Sequence, residues 1–233
     1  MMRKILFGLV IAIALGEALA LAVLLLWPQG PVPEGMPTPR PEGEGWVDLL
    51  DAAHAPGWKN VTDDKDIFEI VDGTLHIFGR LPVPLRYAGY AAERFGNFDL
   101  HIEFKVAPGT NSGVFLRAQP NDPVYRGFEI QVLEDRGGRP TKNSCGAIYD
   151  VVTPMFNLSR PAGEWNSFDV TLDGQELIVH MNGWMIIHTD LAKMTTPLGK
   201  FKAAYADIPQ EGNVLLQDHG GEVWYRNILI RKR

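Results

Sequence analysis

Residues 111–135, NSGVFLRAQPNDPVYRGFEIQVLED, read as two strands joined by a turn-rich loop. Val114 and Leu116 alternate with Phe115 and Arg117, and Phe128, Ile130 and Val132 alternate with Glu129 and Gln131. A period of two buries one face of a strand and presents the other. The presented set here is Arg117, Glu129 and Gln131. The stretch Phe98–Val106 repeats the pattern, leaving His101, Glu103 and Lys105 opposite Phe98, Leu100, Ile102, Phe104 and Val106. If these strands share a sheet, Glu103, Arg117, Glu129 and Gln131 lie on one polar face. A solvated sheet face, or a cross-strand ion pair between Arg117 and Glu129, gives the same pattern without any chemistry.

The rest of the chain after Trp46 is strand after strand. Asp72-Gly73 separates 67–71 from 74–78, a two-residue hairpin signal. Asp173-Gly174 and Asn182-Gly183 repeat it, marking a meander through 167–172, 176–181 and 184–188. Residues 214–217 and 223–231 supply the last strands, and 191–194 make at most one helical turn. Short antiparallel strands at this spacing predict an all-β sandwich.

The N-terminal segment departs from this pattern. Residues 5–27 hold a single charged residue, Glu17. As a helix they would span about 34 Å, enough for the hydrocarbon core of a bilayer. Arg3 and Lys4 precede the segment and the next Lys or Arg is Arg40, which predicts a cytoplasmic N-terminus and an extracytoplasmic domain. A cleaved signal peptide ending near Ala18-Leu19-Ala20 is the rival reading, and the apolar run through Trp27 favours the anchor. Glu17 in mid-span suggests packing against another membrane helix. Residues 28–45, rich in Pro and Gly, read as a semi-extended tether, leaving 46–233 as the domain.

The net charge of −6 and the lack of a basic stripe exclude a nucleic-acid partner. The single cysteine, Cys145, rules out an intrachain disulfide and a cysteine zinc site. Glu134, Asp135, Asp150 and Asp218 carry oxygens suited to a divalent cation but form no compact loop of the EF-hand kind, so no cofactor is assigned and a divalent metal stays open.

Six strings occur in the order found in the 3-keto-disaccharide hydrolase domain family: NSGVFLR, FEIQVLED, GAIYD, GEWN, MNG and LQDHGGEVWYRNI. The chain resembles that family from about Gly45 to Arg233. The resemblance implies a concanavalin- or glucanase-like jelly roll in a bacterial extracytoplasmic protein that acts on, or binds, oxidised glycosides. In the implied chemistry a ketone at C3 acidifies the C2 proton, a base removes it, and the aglycone leaves from C1. Such a site needs a base, a donor for the enolate oxygen and an acid for the leaving oxygen. The resemblance assigns Glu129 or Glu103 as base, Arg117 and His219 to the enolate, and Tyr149 as a donor. Gln131, Asn166 and Trp224 join Tyr149 as substrate-binding candidates. Each also has a structural reading: Asn166 satisfying a strand end, Trp224 in the core, His219 capping a loop. A second function stays open, a non-catalytic subunit of a respiratory or photosynthetic membrane complex that reuses the fold.

Overall fold

The computed structural model describes residues 34–61, 66–79, 85–199 and 204–233. The predicted span 5–27 and the start of the tether lie outside these residues. Among the described residues no helix is long and apolar enough to cross a membrane.

Among the described residues thirteen strands form two antiparallel sheets. In chain order they are β1 (Val47–Asp48), β2 (Trp58–Asn60), β3 (Phe68–Val71), β4 (Thr74–Ile77), β5 (Arg86–Tyr90), β6 (Phe98–Val106) and β7 (Asn111–Ala118). Then follow β8 (Phe128–Leu133), β9 (Trp165–Asp173), β10 (Glu176–Met181), β11 (Trp184–Asp190), β12 (Asn213–Asp218) and β13 (Val223–Lys232). The larger sheet has the order β11-β10-β9-β6-β13-β4-β3, with β1 also paired to β13; the smaller is β2-β5-β12-β7-β8. The predicted sandwich and nearly all its strands are present. The short β1, β2 and β5 are additional.

The turns form as their residues dictate. Asp72 and Gly73, and Asn182 and Gly183, all take positive φ, which a two-residue turn matching strand twist requires. Between the sheets the alternating apolar positions meet: Phe98, Leu100, Ile102 and Phe104 from β6, Val114 and Leu116 from β7, Phe128, Ile130 and Val132 from β8. Phe104 and Phe168 pack with ring centroids 4.7 Å apart. Burying each such side chain contributes about 1.5–3 kcal/mol.

The described part of the tether is no free linker. The described residues from Glu34 to Arg233 belong to one unit. Thr38 donates its backbone N–H to Ser167 Oγ (2.9 Å) and its hydroxyl to Asp169 Oδ2 (2.5 Å). Arg40 reaches Asp48 Oδ2 at 2.8 Å and Asn227 Oδ1 at 3.1 Å. Gly35 lies so close to Asn182 that a Cβ on it would come within 2.8 Å of the Asn182 Cβ. This segment is thus strapped across the larger sheet through Ser167, Asp169 and Asn227.

Candidate functional site

The smaller sheet carries the site on its outer face. A small cavity there is lined by Leu85, Phe115 and Val124 on its apolar side. Its polar side is Asn111, Glu129, Gln131, Tyr149, Gln217 and His219. Four predicted site residues thus come together: Glu129, Gln131, Tyr149 and His219.

Three elements bring them there. Glu129 and Gln131 alternate with core residues on β8. Tyr149 arrives because residues 146–149 run along the free edge of β8: Gly146 N–H donates to the Gln131 carbonyl (2.8 Å) and Tyr149 N–H to the Glu129 carbonyl (3.0 Å). His219 follows β12, and its Nδ1 lies within hydrogen-bond reach of the Asn111 carboxamide, at 2.8 Å. The Gln131 carboxamide fits with its nitrogen 3.1 Å from Glu129 Oε1 and 2.8 Å from the Ser112 carbonyl, since the reverse orientation sets its oxygen against acceptors. Gln131 therefore orients the carboxylate of Glu129, which is 8% exposed.

Gly113 makes room for that carboxylate. It is paired with Gln131 in the β7–β8 register, and a Cβ there would lie 2.1 Å from Glu129 Oε1. Sequence reasoning passed over this residue, although glycine inside a strand is a signal of close approach. Gly113→Ala is expected to keep the fold, because the backbone is ordinary extended strand, while pushing the carboxylate aside. A displacement of about 1 Å costs on the order of 10²-fold in rate. Unchanged turnover in a folded Gly113→Ala variant would refute this placement.

Arg117 does not join the site, a correction to the shared-face expectation. It has φ 48°, and the β7–β12 register shifts between Asn213 and Leu215 opposite it. The bulge turns its side chain away from Glu129, whose register partner is Phe115. The guanidinium donates instead to the Gly96 carbonyl (3.0 Å), Asn97 Oδ1 (3.1 Å), the Gly174 carbonyl (2.7 Å) and Gln210 Oε1 (3.4 Å). Burial depresses its pKa from the usual value. The proposed ion pair with Glu129 is absent.

Glu103 is likewise separated, since β6 belongs to the larger sheet and its polar face points outward. Glu103 accepts from Arg226 Nε at 2.8 Å and Asn227 Nδ2 at 2.5 Å, and lies 3.7 Å from His101 Nε2. His101 Nδ1 is 2.7 Å from Asp169 Oδ1. Burial alone would raise the Glu103 pKa, yet the His101, Asn227 and Arg226 contacts bring it down to about 2. Burial would lower the His101 pKa, yet Asp169 and Glu103 raise it.

The linkage gives this cluster a pH window. The Glu103 contribution is full above its ordinary 4.5 and is lost as pH falls toward about 2. The His101 contribution is full below its ordinary 6.5 and is lost as pH rises through its raised value. Chemical denaturation across pH should show the stability difference between wild type and His101→Gln shrinking above pH 6.5. A flat difference there would rule out a charged His101.

Asn166 and Trp224 are also elsewhere. Asn166 Oδ1 accepts from Arg160 N–H (3.0 Å) and Asn182 Nδ2 (2.9 Å), satisfying a strand end. Trp224 stacks on His76 with centroids 4.8 Å apart, and Lys105 Nζ sits 4.7 Å from its ring centre. Its ring is engaged by its own sheet rather than turned to the cavity. Among the described residues no group of three or more His, Cys, Asp or Glu is arranged to hold a metal ion. Asp135 instead accepts from Cys145 N–H and Ser159 Oγ, and Asp150 pairs with Lys142.

Comparison with known proteins gives one consistent family. The family model described as "3-keto-alpha-glucoside-1,2-lyase-like domain" matches residues 45–231. A Bacteroides thetaiotaomicron protein named 3-keto-disaccharide hydrolase is 26% identical over 229 residues, covering 82% of this chain and 79% of its own length. A crystal structure from Parabacteroides distasonis, of a protein provisionally described as a glycosyl hydrolase, superposes with TM-score 0.69 at 26% identity, over 81% of this chain and 99% of that one. A Bacillus subtilis protein of unknown function with a galectin-like fold shares the architecture at TM-score 0.53 and 12% identity, over 87% of this chain and 98% of that one.

Proposed function

Because this chain belongs to the 3-keto-alpha-glucoside-1,2-lyase-like domain family, we propose that its Glu129 cavity cleaves 3-keto-glycosides by removing the proton at C2. The observation that carries this reading is the buried Glu129 carboxylate, oriented by Gln131 and set beside two donors, Tyr149 and His219, in one cavity. Glu129 takes the C2 proton. The electron pair of the C–H bond moves to the C2–C3 bond, and the ketone oxygen becomes an enolate held by the His219 ring. The pair then returns to re-form the C3 ketone, the C1–O bond breaks, and the Tyr149 hydroxyl supplies the proton to the leaving oxygen. Water added across the resulting double bond completes hydrolysis. A water-shielded carboxylate is suited to this role, whereas a scaffold has no need of one.

Incubating the described domain with a 3-keto-glucoside in deuterium oxide tests the reading. Deuterium should enter C2 as the aglycone is released. Aglycone release with no deuterium at C2 would argue against proton abstraction, and absence of release would remove the reaction. The apolar segment 5–27 with its Arg3/Lys4 flank supports a single-pass anchor in the bacterial inner membrane with the domain outside the cytoplasm. Release of the full chain from membranes by alkaline carbonate would remove the anchor.

A further inference from the structure

The reaction above uses only part of the cavity. On its β5–β12 side, Tyr87 and Gln217 are direct cross-strand partners. Both are buried, at 2% and 4% exposure. Gln217 lines the cavity. Tyr87 lies two residues beyond Leu85, another lining residue, and packs edge-on against Phe115 at 5.2 Å. The Tyr87 hydroxyl has the Gln217 side chain as its polar neighbour, and beyond that contact neither it nor Gln217 Oε1 has a hydrogen-bond partner among the described residues. Buried polar atoms are nearly always paired, so two orphans side by side at a ligand cavity call for a physical account.

We propose that Tyr87 and Gln217 form a subsite that recognises one hydroxyl group of the sugar. This rests on the keto-glycoside reading and deepens it. The donor inventory decides the chemical class. Burial pushes the Tyr87 phenol up to about 12, so at neutral pH it holds its proton and can donate. Gln217 Oε1 can only accept. A hydroxyl does both and satisfies the two orphans at once. A ketone accepts without donating and would leave Gln217 Oε1 unpaired, so the C3 carbonyl belongs on the His219 side. The pair therefore fixes how the ring lies over Glu129 by reading a hydroxyl that oxidation has left intact. Neither residue abstracts or delivers a proton; both act in specificity.

The test uses a methyl 3-keto-glucoside and its mono-deoxy analogues with wild type and the double variant Tyr87→Phe/Gln217→Met. In the wild type one deoxy analogue should lose about 10²-fold or more in kcat/KM, because a site built to bond a hydroxyl is left with unpaired polar atoms. In the double variant that particular penalty should vanish. A penalty that persists unchanged would overturn the subsite. A second readout needs no substrate: with no ligand bound, replacing two unpaired buried polar atoms by apolar groups of similar shape should raise Tm. A fall in Tm would mean that these atoms hold a structural water, and would overturn the proposal as well. If no keto-glycoside is turned over, calorimetric binding of the same sugars decides: a deoxy penalty lost in the double variant keeps the subsite while removing the reaction. Absence of binding by any of them removes both.

Discussion

Glu129→Gln is expected to lower kcat/KM on 3-keto-glycosides by about 10²–10⁴-fold, the usual cost of losing a general base, while leaving the fold unchanged. The substitution is nearly isosteric, and Gln131 and the bare backbone at Gly113 can accommodate an amide as they do a carboxylate. What is lost is the proton acceptor itself. Glu103→Gln supplies the control. It removes a carboxylate of equal size from the opposite sheet, where Arg226 and Asn227 hold it. That variant should lose stability and keep its turnover per folded molecule. Product release by purified domain and thermal denaturation of each variant separate the two effects. Full activity in Glu129→Gln, or a turnover defect in Glu103→Gln equal to it, would move the base out of the cavity.

Arg117→Ala is expected to be the most destabilising single change, by about 2–4 kcal/mol, since hydrogen bonds from a charged group are each worth about 1.5–3 and buried acceptors would be left unpaired. Arg117 is 1% exposed and bonds loops that belong to different parts of the sandwich: Gly96 and Asn97 before β6, Gly174 in the β9–β10 turn, and Gln210 before β12. For a domain of this size the change corresponds to a fall in Tm of roughly 5–15 °C. Arg117→Lys should recover only part of it, because an ammonium cannot reproduce the planar fork that reaches several oxygens. Urea unfolding provides the measurement. A stable Arg117→Ala protein with slow turnover would return this arginine to the reaction.

What was legible in the chain is the part governed by local periodicity. Alternation along 98–106, 111–118 and 128–133, together with Asp-Gly and Asn-Gly turns, determined an all-β sandwich and nearly all of its strands. It also determined that Glu129 and Gln131 share a face, because they sit two apart on one strand with no irregularity between them. His219 and Tyr149 were reachable only through the family strings. No period links a loop after β12 or the segment beside β8 to the carboxylate they approach.

Tertiary structure alone decided the rest. The period of two tells which side of its own strand a residue occupies, but not which sheet the strand joins. Glu103 and Glu129 have the same alternating signature, yet β6 and β7, although joined by a tight turn, belong to opposite sheets. Their polar faces therefore look away from each other. Arg117 shows a second limit. One residue in the left-handed region and a one-residue register slip against β12 break the alternation at the point where the sequence still appears regular. A bulge is stabilised by the strand across from it, here through the close approach of Gly212, whose Cβ would lie 2.2 Å from the Arg117 carbonyl carbon. The polar residues of the site were thus written in the sequence, while their grouping into one cavity depended on sheet pairing and on that bulge, both of which arise only when distant strands meet.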